Sequence, residues 1–196
     1  PEAGAERVEL ACAIIGLPRT GSTMVHRLLS SVPGFTALWW WETAFPLPFP
    51  GEAVADTTPR QEAAKDMVSW LLTEWPDFES IDPMDAMAIN EEVVLLDRTF
   101  LSTTYDSMMP IHAYGHWQAE QDHEPAIRDL VRFMQAIQHQ RVARGDVLRV
   151  LAAVDVAAAG VVEVREIKLV ALFGTHQIEQ RLQVVRVHRR HGEAQP

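Results

Sequence analysis

From Ala11 to Leu29 the chain reads Ala-Cys-Ala-Ile-Ile-Gly-Leu-Pro-Arg-Thr-Gly-Ser-Thr-Met-Val-His-Arg-Leu-Leu: an apolar run, a loop bounded by two glycines, then residues spaced as on a helix. Ala11 to Ile15 is short and carries two isoleucines, which suits a strand covered on both faces. Gly16 ends it. Met24, Val25, Leu28 and Leu29 recur at helical spacing while His26 and Arg27 fall elsewhere on the wheel. A helix is therefore expected to begin near Ser22 and to stop at Ser30, Ser31, Pro33 and Gly34. Gly16 and Gly21 permit backbone conformations closed to other residues, and the first amides of a helix have no partner within it. Such amides point at an anion.

The spacing Gly16-x-x-x-x-Gly21-Ser22-Thr23 invites comparison with the nucleotide loop G-x-x-x-x-G-K-[ST], whose lysine reaches the outer phosphates and whose hydroxyl holds magnesium. Here Ser22 stands in the lysine's place, and the sequence offers no obvious acidic strand end for magnesium. Both charge-stabilising devices of nucleoside triphosphate chemistry are then missing. Arg19 is the replacement cation, and a guanidinium can fork onto two oxygens of a phosphate or sulfate.

Gly-Leu-Pro-Arg-Thr-Gly-Ser-Thr at 16–23 resembles the 5′-phosphosulfate loop of sulfotransferases that use 3′-phosphoadenosine-5′-phosphosulfate, in its common form G-x-P-R-[ST]-G-[ST]-[ST]. The resemblance continues through Val32-Pro-Gly-Phe35, Trp-Trp-Glu-Thr at 40–43, Tyr114-Gly-His-Trp117 and Gln121-Asp-His-Glu-Pro-Ala126. It is similar to the bacterial branch of that family and covers roughly residues 10–142. The fold this implies is α/β, a P-loop-like parallel sheet flanked by helices, with a helical insertion over the cofactor edge.

A chain of 196 residues, 47% hydrophobic, can bury one sizeable core, so one domain over 1–196 is the expectation. Family domains are longer and the chain opens on Pro1, which points to a fragment or a processed form. Its single cysteine, Cys12, excludes an internal disulfide. With no signal-peptide pattern and no apolar run of transmembrane length, a cytoplasmic protein without a membrane partner is expected. A net charge of −10 disfavours nucleic acid, whose phosphates such a surface repels. An anionic cofactor then needs a local positive pocket.

Charge is unevenly spread. Residues 1–140 carry 8 Lys and Arg against 21 Asp and Glu, whereas residues 141–196 carry 9 against 6. The last part also lacks tryptophan and methionine, so its composition changes near residue 142 and residues 143–196 read as divergent.

Along the chain, Pro46, Pro48 and Pro50 mark a loop. Thr58 as cap, Pro59 and Gln61 open a helix whose apolar face is Ala64, Met67, Val68, Leu71, Leu72 and Trp75. Asn90 can cap another through Leu96, and a longer one runs from about Pro125 to Gln140. Val147–Leu151, Val161–Val164 and Val184–His188 read as strands, with Ala152–Gly160 left as helix or loop.

Sulfuryl transfer needs an anchor for the donor, a base for the acceptor proton, and positive charge near the leaving oxygen. The resemblance implies donor binding by Arg19, Thr20, Gly21, Ser22 and Thr23, with Arg19 also neutralising the leaving group. For Thr20 and Ser22, simple helix capping is a reading that does not exclude binding. Glu42 is the candidate base, at a distance from the loop like that of the glutamate in protein-tyrosine sulfotransferases; the alternative is a glutamate paired with an arginine at a pocket rim. Three tryptophans make its setting dry, which moves acid–base groups toward useful values. Trp39–Trp41 could line an acceptor pocket or simply pack. His112, His116 and His123 lack a spaced carboxylate partner, so no metal is expected, and His116 is a minor competitor as base.

Two family elements are altered downstream. Relatives end a strand on a Val-Leu-Lys run whose lysine contacts the sulfuryl group; here Arg149 replaces it. Val185-Arg-Val-His-Arg189 resembles the strand and arginine that hold the 3′-phosphate, but the serine expected eight residues later is absent. Three functions follow: sulfuryl transfer to a hydroxyl of a small organic acceptor, a degenerate non-catalytic domain, and a kinase or hydrolase variant that Ser22 disfavours.

Overall fold

The structure is a computed structural model that describes residues 3–16, 21–33, 35–53, 55–145, 149–155, 168–171 and 178–181. Its chain divides into two compact units, Pro1–Val161 and Val162–Pro196.

In the first unit the apolar run forms β1 (Glu9–Gly16), followed by α1 (Ser22–Ser30). Next come β2 (Leu38–Trp39), α2 (Trp40–Ala44), α3 (Thr58–Glu74), α4 (Phe78–Ile81), β3 (Ile89–Asn90) and α5 (Val93–Leu96). After them come α6 (Thr104–Met108), α7 (His112–Ala119), α8 (Glu124–Ala143) and β4 (Arg149–Asp155). The mixture is α/β and helix-rich, as expected. Its parallel sheet, among the described residues, is the pair β1–β4, and β2–β3 is a short antiparallel pair. The second unit contributes β5 (Lys168–Ala171) and β6 (Ile178–Arg181), paired antiparallel.

Several boundaries move. The helix assigned to Thr58 is capped one residue earlier, with Gln61 Nε2 donating to Thr57 Oγ1 at 2.8 Å and Pro59 in the first turn. Asn90 is strand rather than cap, since Leu38 pairs with it in β2–β3; α5 begins only at Val93. Ala152–Asp155, left open as helix or loop, continues β4. The proposed strands at 161–164 and 184–188 lie outside the described residues.

Two apolar clusters hold the helices. Leu38, Leu95, Met134 and Ile137 bring β2, α5 and α8 together, with Val8, Leu130 and Phe133 against them. Trp40, Trp41, Ala64, Val68 and Ala86 join α2 to α3. The α3 face is narrower than its sequence suggests, because Met67 and Trp75 are exposed and Arg60 is buried. Arg60 is reconciled with that burial by Glu52 (Nε to Oε1, 2.6 Å), the Phe45 carbonyl (3.2 Å) and the Trp41 ring. α1 departs further: Met24 and Leu28 are exposed among the described residues while His26 is buried, so the apolar stripe of this helix is not its packed face.

Candidate functional site

The start of α1 has the form its sequence dictates. Gly21, the N-cap, sits at φ +89°, a left-handed conformation that strains any residue with a Cβ, although open space surrounds it. The first helical bond runs from Val25 N to the Gly21 carbonyl at 3.1 Å, leaving the amides of residues 22–24 ahead of it. Ser22 is half-buried at the first helical position. Arg19 and Thr20 lie outside the described residues.

Thr23 is occupied in a way the sequence does not announce. Its hydroxyl donates to Glu91 Oε1 at 2.6 Å, across 68 residues of chain. Glu91 follows β3 directly and is half-buried, so a carboxylate stands beside the anion-attracting end of α1. By sequence Glu91 falls within the helix expected from Asn90 through Leu96. Its run Asn-Glu-Glu gave no sign of contact with the loop helix, which depends on β3 pairing with β2.

Glu42 has a different fate. It is 1% exposed, and Arg141 of α8 meets both of its oxygens: Nε to Oε1 at 2.9 Å, and Nη2 to Oε2. The Trp39 amide also donates to Oε2 at 3.0 Å, closing the first turn of α2, and Arg144 approaches Oε1 at 3.5 Å. Arg141 Nη2 adds the Ala37 carbonyl at 2.9 Å. The arginine-paired alternative is the arrangement present, with the pair inside the core instead of at a pocket rim. Trp40 and Trp41 are buried around it and Trp39 is 38% exposed, so the tryptophan run mainly packs. Arg144 and Arg60 both approach the Trp41 ring.

The parallel register separates Arg149 from the loop. Gly16, where β1 enters the loop, pairs with Asp155, whereas Arg149 pairs with Glu9 at the other end. At about 3.3 Å per residue the backbone ends of β4 are roughly 20 Å apart. The same register supplies an acidic residue, Asp155, at the strand end beside Gly16, which the sequence reading had not found. Arg189 lies outside the described residues.

Among the described residues no group of three or more His, Cys, Asp and Glu could hold a metal ion. Nor is any described helix long and apolar enough to cross a membrane.

β1, a left-handed glycine and a helix whose leading amides have no acceptor within the helix follow one another in the order that suits an anion. The model of the Sulfotransferase family matches residues 12–151. The chain belongs to the sulfotransferase family. Solved structures with its fold include sulfotransferase STF1 from Mycobacterium tuberculosis H37Rv, 24% identical at a TM-score of 0.55, covering 78% of this chain and 41% of that one. Sulfotransferase STF9 from Mycobacterium avium is likewise 24% identical at a TM-score of 0.58, covering 79% and 38%. This chain thus spans about two fifths of the length of either. No curated protein matches it.

Proposed function

We propose that this sulfotransferase-family chain transfers a sulfuryl group from 3′-phosphoadenosine-5′-phosphosulfate to a hydroxyl of a small organic acceptor. The observation that carries the reading is the left-handed Gly21 opening α1 within the segment matched by the family model. The amides of residues 21–24 and the hydroxyl of Ser22 would hold the 5′-phosphosulfate, joined by the Thr23 hydroxyl when it turns from Glu91, with Thr20 and the Arg19 guanidinium completing the loop. Arg189 would serve the 3′-phosphate.

The base in this reading is Glu91. It is half-buried and already within hydrogen-bond distance of a loop hydroxyl, which meets the geometric requirement for proton removal better than a glutamate enclosed by Arg141. Glu91 takes the acceptor's proton as the acceptor oxygen bonds to sulfur. The bond from sulfur to the 5′-phosphate oxygen breaks, and that oxygen keeps the electron pair, stabilised by Arg19 and the helix amides. The products are a sulfate ester and 3′-phosphoadenosine-5′-phosphate. We place the protein in the cytoplasm.

A second reading, a domain that keeps the fold without transfer, is favoured by one observation: the family match stops at residue 151 while the chain continues to 196. Asp155 beside Gly16 gives the kinase or hydrolase reading its one point of support, against Ser22 in the lysine's place.

One assay separates the three. The chain is incubated with the sulfated nucleotide and a panel of phenols and alcohols, with and without EDTA, and nucleotide product is measured by chromatography. Acceptor-dependent product insensitive to EDTA is expected. Absence of product from a chain that still binds the nucleotide supports the second reading, and magnesium-dependent release of phosphate from ATP supports the third.

A further inference from the structure

Trp40, Met67, Val94, Phe100 and Tyr105 wall a largely apolar cleft of about 410 Å³, within the range of small-molecule sites, with Asp97 and Arg98 as its charged members. Phe100 has a left-handed backbone, φ +56°, which a bulky aromatic residue rarely adopts, and the residue is 66% exposed. That ring stacks on Tyr105 at 5.9 Å with planes 16° apart. Tyr105 is fixed in turn by its hydroxyl, which donates to the Asp97 carbonyl at 2.8 Å, and by edge contact with Tyr114. A strained turn therefore holds two stacked rings at the cleft.

One oxygen of the Asp97 carboxylate is unsatisfied: Oδ1 is buried with no hydrogen-bond partner among the described residues. Burial raises its carboxyl above the usual range, against the hydroxyls of Ser102 and Thr104 and the charge of Arg98, which lower it. Arg98 does not pair with it. Its guanidinium donates to the carbonyls of Val94 (3.1 Å) and Ala44 and lies over the Phe133 ring. A buried carboxylate oxygen without a donor is costly, and an arriving N–H cation supplies the bond that Oδ1 lacks and adds to the partial compensation from Ser102, Thr104 and Arg98. Aromatic faces attract the same kind of group.

We propose that this cleft binds a small aromatic amine, its ring against Phe100, Tyr105 and Trp40 and its ammonium on Asp97. Oδ1 is closed to water as the side chain stands, so the ammonium reaches it after a turn of Asp97. The site is independent of the sulfuryl-transfer reading, because no donor nucleotide enters its argument or its test.

The test is calorimetric titration of the unmodified chain with 2-phenylethylamine and with 2-phenylethanol, its neutral analogue, near pH 7.5. The amine is expected to bind at least about tenfold more tightly. In Asp97→Asn that advantage should shrink to within about twofold, and Phe100→Ala should weaken both ligands. Equal binding of the two by the unmodified chain, no binding of either up to about 10 mM, or an advantage that survives Asp97→Asn would overturn the proposal.

Discussion

Two glutamates bracket the chemistry of this fold, and their surroundings differ in every respect that matters to a base. Glu42 is enclosed by α2 and α8, with both oxygens on Arg141 and the Trp39 amide closing the helix turn beneath it. Glu91 is half-buried just after β3, with the Thr23 hydroxyl on Oε1 as its hydrogen bond among the described residues. A carboxylate saturated by a guanidinium organises the core, whereas the one bonded to Thr23 at the start of α1 is the base in the proposed function. An acid's nearness to tryptophans along the chain therefore says little about its availability; the cation brought to it from α8 decides that.

The sharpest way to break this contrast is Glu42→Gln, which leaves Arg141 buried without its counter-charge. A loss of about 3–5 kcal/mol in urea unfolding is expected, most of it recovered when Arg141→Met is added. A loss below about 1 kcal/mol would mean the pair does not hold the core. Glu91→Gln should do the reverse, lowering sulfuryl transfer about 100-fold or more in a rate assay while unfolding free energy stays within about 1 kcal/mol. Equal activity from that variant would remove Glu91 as base.

Gly21→Ala probes the loop end of the comparison, and about 1 kcal/mol of destabilisation is expected from the left-handed φ alone, since nothing crowds the added methyl. The smallest effect belongs to Asp97, a carboxylate with burial but no bound cation. Because the folded chain holds its proton more tightly than the unfolded chain, stability present at low pH is lost as pH rises from the ordinary carboxylate range through the raised value. Asp97→Asn should thus raise Tm by about 2 °C at pH 7, an advantage that vanishes below the ordinary range.

What the sequence made legible is local. β1 and α1 follow from residue type and spacing within 20 positions, and α8 from the helical period that Ile127, Leu130, Met134 and Ile137 keep. What escaped needs partners far along the chain. Asn90 reads as a cap until Leu38 pairs with it, Glu91 as a helix-start acid until Thr23 reaches it, and Glu42 as a base until Arg141 arrives. Motif order fixes neighbours in sequence, whereas the parallel register sets Asp155, not Arg149, opposite Gly16. The apolar stripe of α1 misled for a related reason: periodicity marks a helix without saying which face the rest of the described fold covers.

The central claim is that the leading amides of α1 grip the nucleotide's 5′-phosphate, and backbone amide NMR tests it most directly. On titration with 3′-phosphoadenosine-5′-phosphate, the amide signals of residues 21–24 should shift together and saturate at one affinity, with the Glu42 and Arg141 signals moving little. Saturable binding that leaves those four amides in place, or no binding at all, would contradict the account.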